Sequence, residues 1–440
     1  MEITWLGWIL IPVYCYCLVC RPDWLLYSTL FFCGFSATAV INLIDIRFGI
    51  QAYQLAVIFL LTRMLLFGVL GRFPAKPPLP AILFKISKFY LLFLAIDITG
   101  VLLGGVGASS TAITQFFHLV FGGMAFFVIA YYSQSHHSMK KLLNILFVGA
   151  MFVSMWGLLQ FTLHYTGATY PDYLFNNTSS KNSLAFDAVS EGLGFFRISS
   201  VATEPSMLTK YLIPILGAMV SIMLDSWNSI DRKIHWKILV VLTAVLISTS
   251  SGGYIGVFLI LLLVMSRMRL LFRRKMVSIG FLGIVLLFAA LAMRFPDVLD
   301  EIIFSKMYTY SFMERMGSIV AGWNVFHEYP FFGIGWGNFE GWDMIIKIMA
   351  STGIFGLLVF GYFNYSVVQG ASKVIAIRPQ DRNSIILRAL VVAFLLELFQ
   401  MAIVGFFPAY GDFWVLFGLM TGMVCHSIQH AKSIFSAVQR

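Results

Sequence analysis

The sequence predicts an all-α, polytopic integral membrane protein, a helical bundle of about 12–14 transmembrane helices with two long polar loops on one side. Three observations predict it. Of the 440 residues, 59% are apolar and only 11% are charged, too few polar side chains to cover a surface facing water. The apolar residues come in runs of roughly 20, the length a helix needs to cross hydrocarbon. The cations fall in short clusters between alternate runs, as the positive-inside rule requires. A cytosolic enzyme, a disordered chain and a secreted disulfide scaffold are excluded, and residues 1–440 read as a single membrane domain.

Thirteen runs qualify, at about 3–20, 24–44, 50–71, 82–103, 112–132, 142–164, 206–225, 237–250, 253–267, 276–293, 345–368, 385–404 and 412–430. The segment Met1–Glu2–Ile3 has no basic character, so the first run reads as a retained span rather than a signal peptide. The runs 237–250 and 253–267 are short and separated only by Ser251–Gly252, which suggests tilted or partly re-entrant segments. Twenty of the 30 cations sit in one set of connections and at the C-terminus, among them Lys140, Lys141, Lys233, Arg269 and Arg382. The other set holds 8, and Arg63 and Arg388 fall within runs. That asymmetry puts 266–275 and the C-terminus in the cytoplasm, and puts the N-terminus and the loops 165–205 and 294–344 outside. The cations form no continuous stripe, so nucleic acid is not an expected partner; membrane lipids are. All 5 cysteines lie in or beside apolar runs without a CxxC, so neither disulfides nor zinc are expected.

The chemistry-bearing residues cluster in the two outer loops. Pro205 suits the first position of a helix, whose N-terminus favours anions. Arg197 stands just before it and could grip phosphate oxygens in a bidentate fork, or simply pair with Glu204. Glu204 would repel a phosphate, so it faces a sugar hydroxyl or pairs with Lys210, itself a further candidate for binding a diphosphate. In the second loop Phe312, Met316, Ile319, Val320, Trp323 and Phe326 follow helical spacing, predicting a surface helix packed through that stripe on the bundle or at the lipid interface, with Arg315, Ser318 and Gly322 on another face. His327 lies beyond, among polar neighbours, and is a further candidate to line a substrate site. The run Gly333–Ile334–Gly335–Trp336–Gly337–Asn338 lacks the spacing of a dinucleotide fingerprint, and there is no P-loop. It reads as a tight turn needing backbone freedom or as a lining for substrate, with Gly333, Gly335, Trp336 and Asn338 as the lining residues. Within the runs, Arg63, Asp97, His118, Glu397 and His426 are costly to bury. Arg63–Asp97 or Arg63–Glu397 pairs would account for some of them. Asn176–Asn177–Thr178–Ser179 contains overlapping glycosylation sequons that matter only in a eukaryotic secretory pathway.

The stretch from Arg315 through Trp323–Asn324–Val325–Phe326–His327–Glu328–Tyr329–Pro330–Phe331–Phe332–Gly333–Ile334–Gly335–Trp336–Gly337–Asn338–Phe339 resembles the signature of the O-antigen polymerase/ligase family of bacterial inner-membrane glycosyltransferases. Ser351–Thr352–Gly353–Ile354–Phe355–Gly356, Arg197…Glu204–Pro205–Ser206 and Ser248–Thr249–Ser250–Ser251–Gly252–Gly253–Tyr254 are similar to further elements of it. The resemblance implies a multi-pass protein of the bacterial inner (cytoplasmic) membrane, with a glycan-transfer site on the periplasmic face. The implied donor is an oligosaccharide on undecaprenyl diphosphate, and a chain-length regulator protein is a possible partner. Ligases of the family usually carry a His-Asn pair after the Gly-Asn-Phe element. Here Glu340–Gly341–Trp342–Asp343–Met344–Ile345 has no histidine, which favours the polymerase (Wzy-type) branch over an O-antigen ligase. Arg197 and Arg315 would stabilise the diphosphate leaving group, and Glu204, or failing it Asp343, would serve as base. No cofactor or metal is expected. A transporter or flippase of lipid-linked sugars is the alternative of a different class, since it would share the spans and the intramembrane charges.

Overall fold

A computed structural model describes residues 1–44, 48–69, 81–105, 107, 109–136, 138–178, 196–225, 233–271, 310–377, 379, 381–406 and 408–438. Among them are thirteen α-helices: α1 (Trp5–Cys20), α2 (Pro22–Phe32), α3 (Ala52–Val69), α4 (Ala81–Leu103), α5 (Ser110–Gln134), α6 (Met139–Thr166), α7 (Pro205–Asp225), α8 (Lys233–Ile247), α9 (Ser251–Leu271), α10 (Tyr310–Glu328), α11 (Met344–Ile377), α12 (Arg382–Val404) and α13 (Gly411–Val438). Seven of these, α4–α7 and α11–α13, are long and apolar enough to cross a membrane, and α1, α3, α8 and α9 are shorter apolar helices. The protein is an all-α, multi-pass membrane bundle. The run at 276–293 lies outside the described residues, as do 179–195 and 294–309 of the two polar loops.

Helix starts follow local chemistry. Thr4, Ser109 and Ser138 each cap a helix by accepting a backbone N–H one turn in, from Gly7, Ala112 and Lys141. Pro205 opens α7, as its missing N–H and fixed φ favour. At the centre, α7 packs on α12 and α13 on α5. In lipid there is little hydrophobic gain from pairing helices, so close backbone approach through small residues supplies the contact. A Cβ on Gly217 of α7 would come within 2.2 Å of Leu396 Cδ1, and one on Gly422 of α13 within 2.8 Å of Ala130 O.

The expected span at 24–44 is a correction. Helix α2 stops at Phe32, the chain turns, and Ala39–Leu43 forms β2 of a small antiparallel sheet with β1 (Glu2–Ile3) and β3 (Phe48–Gln51), in the order β1-β2-β3. Gly34, Ser36 and Thr38 interrupt the helix, and Val40 and Ile41 suit a strand. A hydropathy count sums a short helix and a buried strand into one apparent span. The first polar loop closes on this sheet: Ala39 N donates to Asn177 Oδ1 at 2.9 Å, and Asn42 Nδ2 to Asn177 O at 2.8 Å. The N-terminus therefore shares one end of the bundle with that loop.

Helix α10 turns much of its apolar stripe away from the bundle. Arg315, Ser318 and Gly322 face the protein, whereas Met313, Met316, Val320 and Trp323 are exposed. Gly322 permits the approach, because a Cβ there would lie 2.4 Å from Ile346 Cγ2 of α11. The Arg63 pairings are also corrected: its guanidinium donates to the carbonyls of Leu18 and Val19 at the C-terminal end of α1.

The two ends of the bundle give a labelling prediction. In a cysteine-free background, a membrane-impermeant thiol reagent should modify Tyr173→Cys, exposed in the first polar loop, and spare Ser135→Cys, exposed between α5 and α6 beside Lys140 and Lys141. The opposite pattern would reverse the orientation of the whole bundle.

Candidate functional site

The two long polar loops converge on a pair of guanidiniums. The backbone N–H groups of Ser199 and Ser200 both donate to Gln160 Oε1 on α6, at 3.1 and 2.8 Å. The Ser200 hydroxyl donates to Val153 O at 2.6 Å, and Ser200 itself has a left-handed φ of 56°. This pins the strand of chain carrying Arg197 before it enters α7. Arg197 Nε donates to Ser248 O at 3.4 Å, just past the C-terminus of α8. Arg315 Nη1 donates to Ile403 O at 3.0 Å, in the last turn of α12, and its guanidinium lies 5.7 Å from the centre of the Trp342 ring. Each cation thus rests on the negative end of a helix.

Glu204, the residue preceding Pro205, is within electrostatic reach of both. Its Oε2 accepts from Ser206 Oγ at 2.9 Å, and its carbonyl accepts from Leu208 N at 3.0 Å. Burial pushes both guanidiniums down from their usual range; Tyr254 and Glu204 oppose this at Arg197, Arg315 adds to it, and Glu204 and Glu314 oppose it at Arg315. Both remain cationic at neutral pH. Among the described residues no ion pair joins Glu204 to Arg197, so the simple loop salt bridge is absent. The two half-buried cations face the carboxylates of Glu204 and, at Arg315, the exposed Glu314, and their guanidinium forks are the groups here suited to an anion such as a diphosphate.

Lys210 lies elsewhere. It is 1% exposed inside the bundle, with Nζ 3.1 Å from Asp412 Oδ2 and 3.7 Å from Glu397 Oε1. Its pairing with Glu204 and its role at a diphosphate are corrected, because its charge is already matched by closer carboxylates. Asp343 caps α11: its Oδ1 accepts from Ile346 N at 2.9 Å and its carbonyl from Lys347 N at 2.9 Å. That duty weakens it as a base. His327 is exposed in the last turn of α10, against Trp323 at 5.5 Å between ring centres.

The glycine-rich run proves to be a structural dock. Helix α11 is broken at Gly353, whose φ of 62° and ψ of −165° interrupt its hydrogen bonding. In an unbroken helix Ile354 N and Phe355 N would donate to the carbonyls of Ala350 and Ser351. Instead Ile334 N and Gly335 N donate to those carbonyls at 3.1 and 2.8 Å, while Ile354 N and Phe355 N donate to Pro330 O and Phe331 O at 2.8 and 3.3 Å. The turn thus completes the four groups that the break exposes. Asp97 of α4 holds it from the other side, Oδ1 accepting from Trp336 N at 2.5 Å. Trp336 is 0% exposed, and Asn338 donates to Gly107 O and Ile334 O and accepts from Ser109 Oγ. Gly333, Gly335, Trp336 and Asn338 thus have a packing role that accounts for the glycines, although the buried Trp336 Nε1 has no hydrogen-bond partner among the described residues.

Tyr410 and Asp412 are the residues the sequence analysis missed. Tyr410 shares a contact with Thr203, Oγ1 to OH at 3.4 Å, beside Glu204. The available signal was Asp412 at the first turn of a helix, one residue after Gly411, where a carboxylate meets a positive helix end.

The fold and this site define a multi-pass helical membrane protein with a paired-arginine centre at the end of the bundle that carries both polar loops. No protein-family model matches the chain, and no curated protein is significantly similar to it in sequence.

Proposed function

We propose that the protein is a surface-polysaccharide polymerase of the O-antigen type, joining undecaprenyl-diphosphate-linked repeat units on the periplasmic side of a bacterial inner membrane. The observation that supports this reading is that Arg197 and Arg315, from two separate loops and each anchored on a helix-end carbonyl, come within electrostatic reach of each other and of Glu204. In the reaction a terminal hydroxyl oxygen of one lipid-linked unit forms a bond to the anomeric carbon of the other. The bond from that carbon to the diphosphate oxygen breaks. Charge develops on the departing diphosphate, where two cations fixed beforehand by helix-end carbonyls stabilise it without rearrangement. The hydroxyl proton passes to Glu204, whose Oε1 is not used in the Ser206 contact. A chain-length regulator protein would act on this centre from outside the described contacts.

The test is purified protein with lipid-diphosphate repeat units alone, read as oligomer formation on a gel. A ladder supports the reading, and unchanged single units oppose it. In cells, loss of the gene should leave single repeat units at the surface, whereas loss of a flippase would leave none. Glu204→Gln keeps the acceptor for Ser206 but removes the base, so polymer formation should fall ~10²–10⁴-fold with donor binding retained. Near-normal polymer from the Gln variant, with a defect in Glu204→Ala, would make Glu204 a structural group only.

A further inference from the structure

Below the paired-arginine centre lies a second charged cluster that the reaction above does not use. Lys210 of α7 faces two carboxylates, Asp412 Oδ2 at 3.1 Å and Glu397 Oε1 at 3.7 Å, and the three side chains are 1%, 7% and 0% exposed. One cation cannot balance two carboxylates. A net charge left uncompensated at this depth is strongly unfavourable, as for any buried unpaired ion. Among the described residues, the other titratable groups near the cluster are Tyr211 on the same helix, Tyr53 of α3, Cys33 after α2 and Tyr410 before α13, none of them cationic.

We infer that the cluster binds one further positive charge, a proton, and that Glu397 carries it. Asp412 is the carboxylate that stays ionised: it is the nearer to Lys210, it stands in the first turn of α13 at the positive end of that helix, and its Oδ1 accepts from Phe413 N at 2.9 Å. Glu397 has none of these supports. It lies within α12, and neither of its oxygens receives a hydrogen bond. A neutral acid there leaves one Lys–Asp pair and no net charge. Helices α7, α12 and α13 meet at this cluster, and their outer ends carry Glu204, the Ile403 carbonyl under Arg315, and Tyr410. The proton therefore sits where it can act on the spacing of the outer centre.

The test is the infrared spectrum of the full-length protein in detergent at mildly alkaline pH, where exposed carboxyls are ionised. A protonated-carboxyl C=O band is expected in the wild type and should shift in heavy water. Glu397→Gln, an uncharged match for the neutral acid, should fold and lose that band. Asp412→Asn leaves one carboxylate for one lysine, so Glu397 should ionise and its band should vanish there too. A band unchanged in either folded variant, or no band in the wild type, would overturn the assignment; any contribution from Asp97, another buried carboxyl, is common to all three proteins. Sodium is the other small cation that could supply the charge; a band that disappears when sodium replaces potassium would assign the site to sodium instead. The assignment stands independently of the transfer reaction, because none of these readouts depends on substrate.

Discussion

Arg197→Ala and Arg315→Ala should each abolish polymer, with rates at least ~10²-fold down, the usual cost of deleting one fixed donor to a developing anion. The two losses should not add, because the guanidiniums act on the same leaving group. Arg→Lys should recover little at either position, and the geometry says why. Arg197 spends Nε on Ser248 O, and Arg315 spends Nη1 on Ile403 O. The remaining N–H groups of each fork stay available in a fixed plane. A lysine ammonium would have to choose between carbonyl and phosphate, and would lose the bidentate geometry in either case. The measurement is oligomer yield from purified variants at matched concentration, with melting curves confirming that the half-buried arginines are not needed for folding. Normal-length polymer from both alanine variants would make these residues surface charges and would remove the basis for the proposed leaving-group clamp.

The bundle was legible because the bilayer imposes a length and a polarity rule on every span, and both can be read from a string of letters. Helix starts such as Pro205 followed from local chemistry. The sheet at Ala39–Leu43 was hidden because hydropathy does not separate a strand buried by tertiary contacts from the end of a span. Which way α10 faces is not legible in its stripe, for a related reason. Apolar periodicity assumes that the apolar side turns inward, but beside a membrane an apolar side can face outward, and here Arg315 turns to a helix-end carbonyl. Arg197 and Arg315 could be named singly from their places in the loops. That they share one centre depends on which helix ends lie side by side, and this is tertiary information. Lys210 was assigned to the nearest acid in sequence, Glu204, whereas the acids nearest in space, Asp412 and Glu397, come from the end of the chain.

The other large effect concerns the glycine-rich turn, and it decides between dock and substrate lining. Gly333 and Gly335 have φ of 67° and 87°, and a Cβ on them would lie 2.3 Å from Ser351 C and 2.1 Å from Val101 Cγ2. Alanine at Gly333 meets backbone, which cannot swing aside as a side-chain tip can, and also carries the left-handed penalty of ~1–2 kcal/mol. The displaced turn would release the four hydrogen bonds that bridge the break at Gly353, at a net ~0.5–1.5 kcal/mol each, and more where the freed groups face lipid rather than water. Gly333→Ala should therefore lower the melting temperature severely or prevent folding, and Gly335→Ala should be nearly as harmful. Gly317 on α10 has no atom within 4 Å of its would-be Cβ, so Gly317→Ala should leave the melting temperature unchanged or slightly raised. Thermal melting of the three purified proteins in one detergent makes the comparison. If Gly335→Ala instead melts like the wild type and fails only in glycan transfer, the turn touches substrate after all. The four-bond bridge across α11 would then be an accessory of the site, not the reason for its glycines.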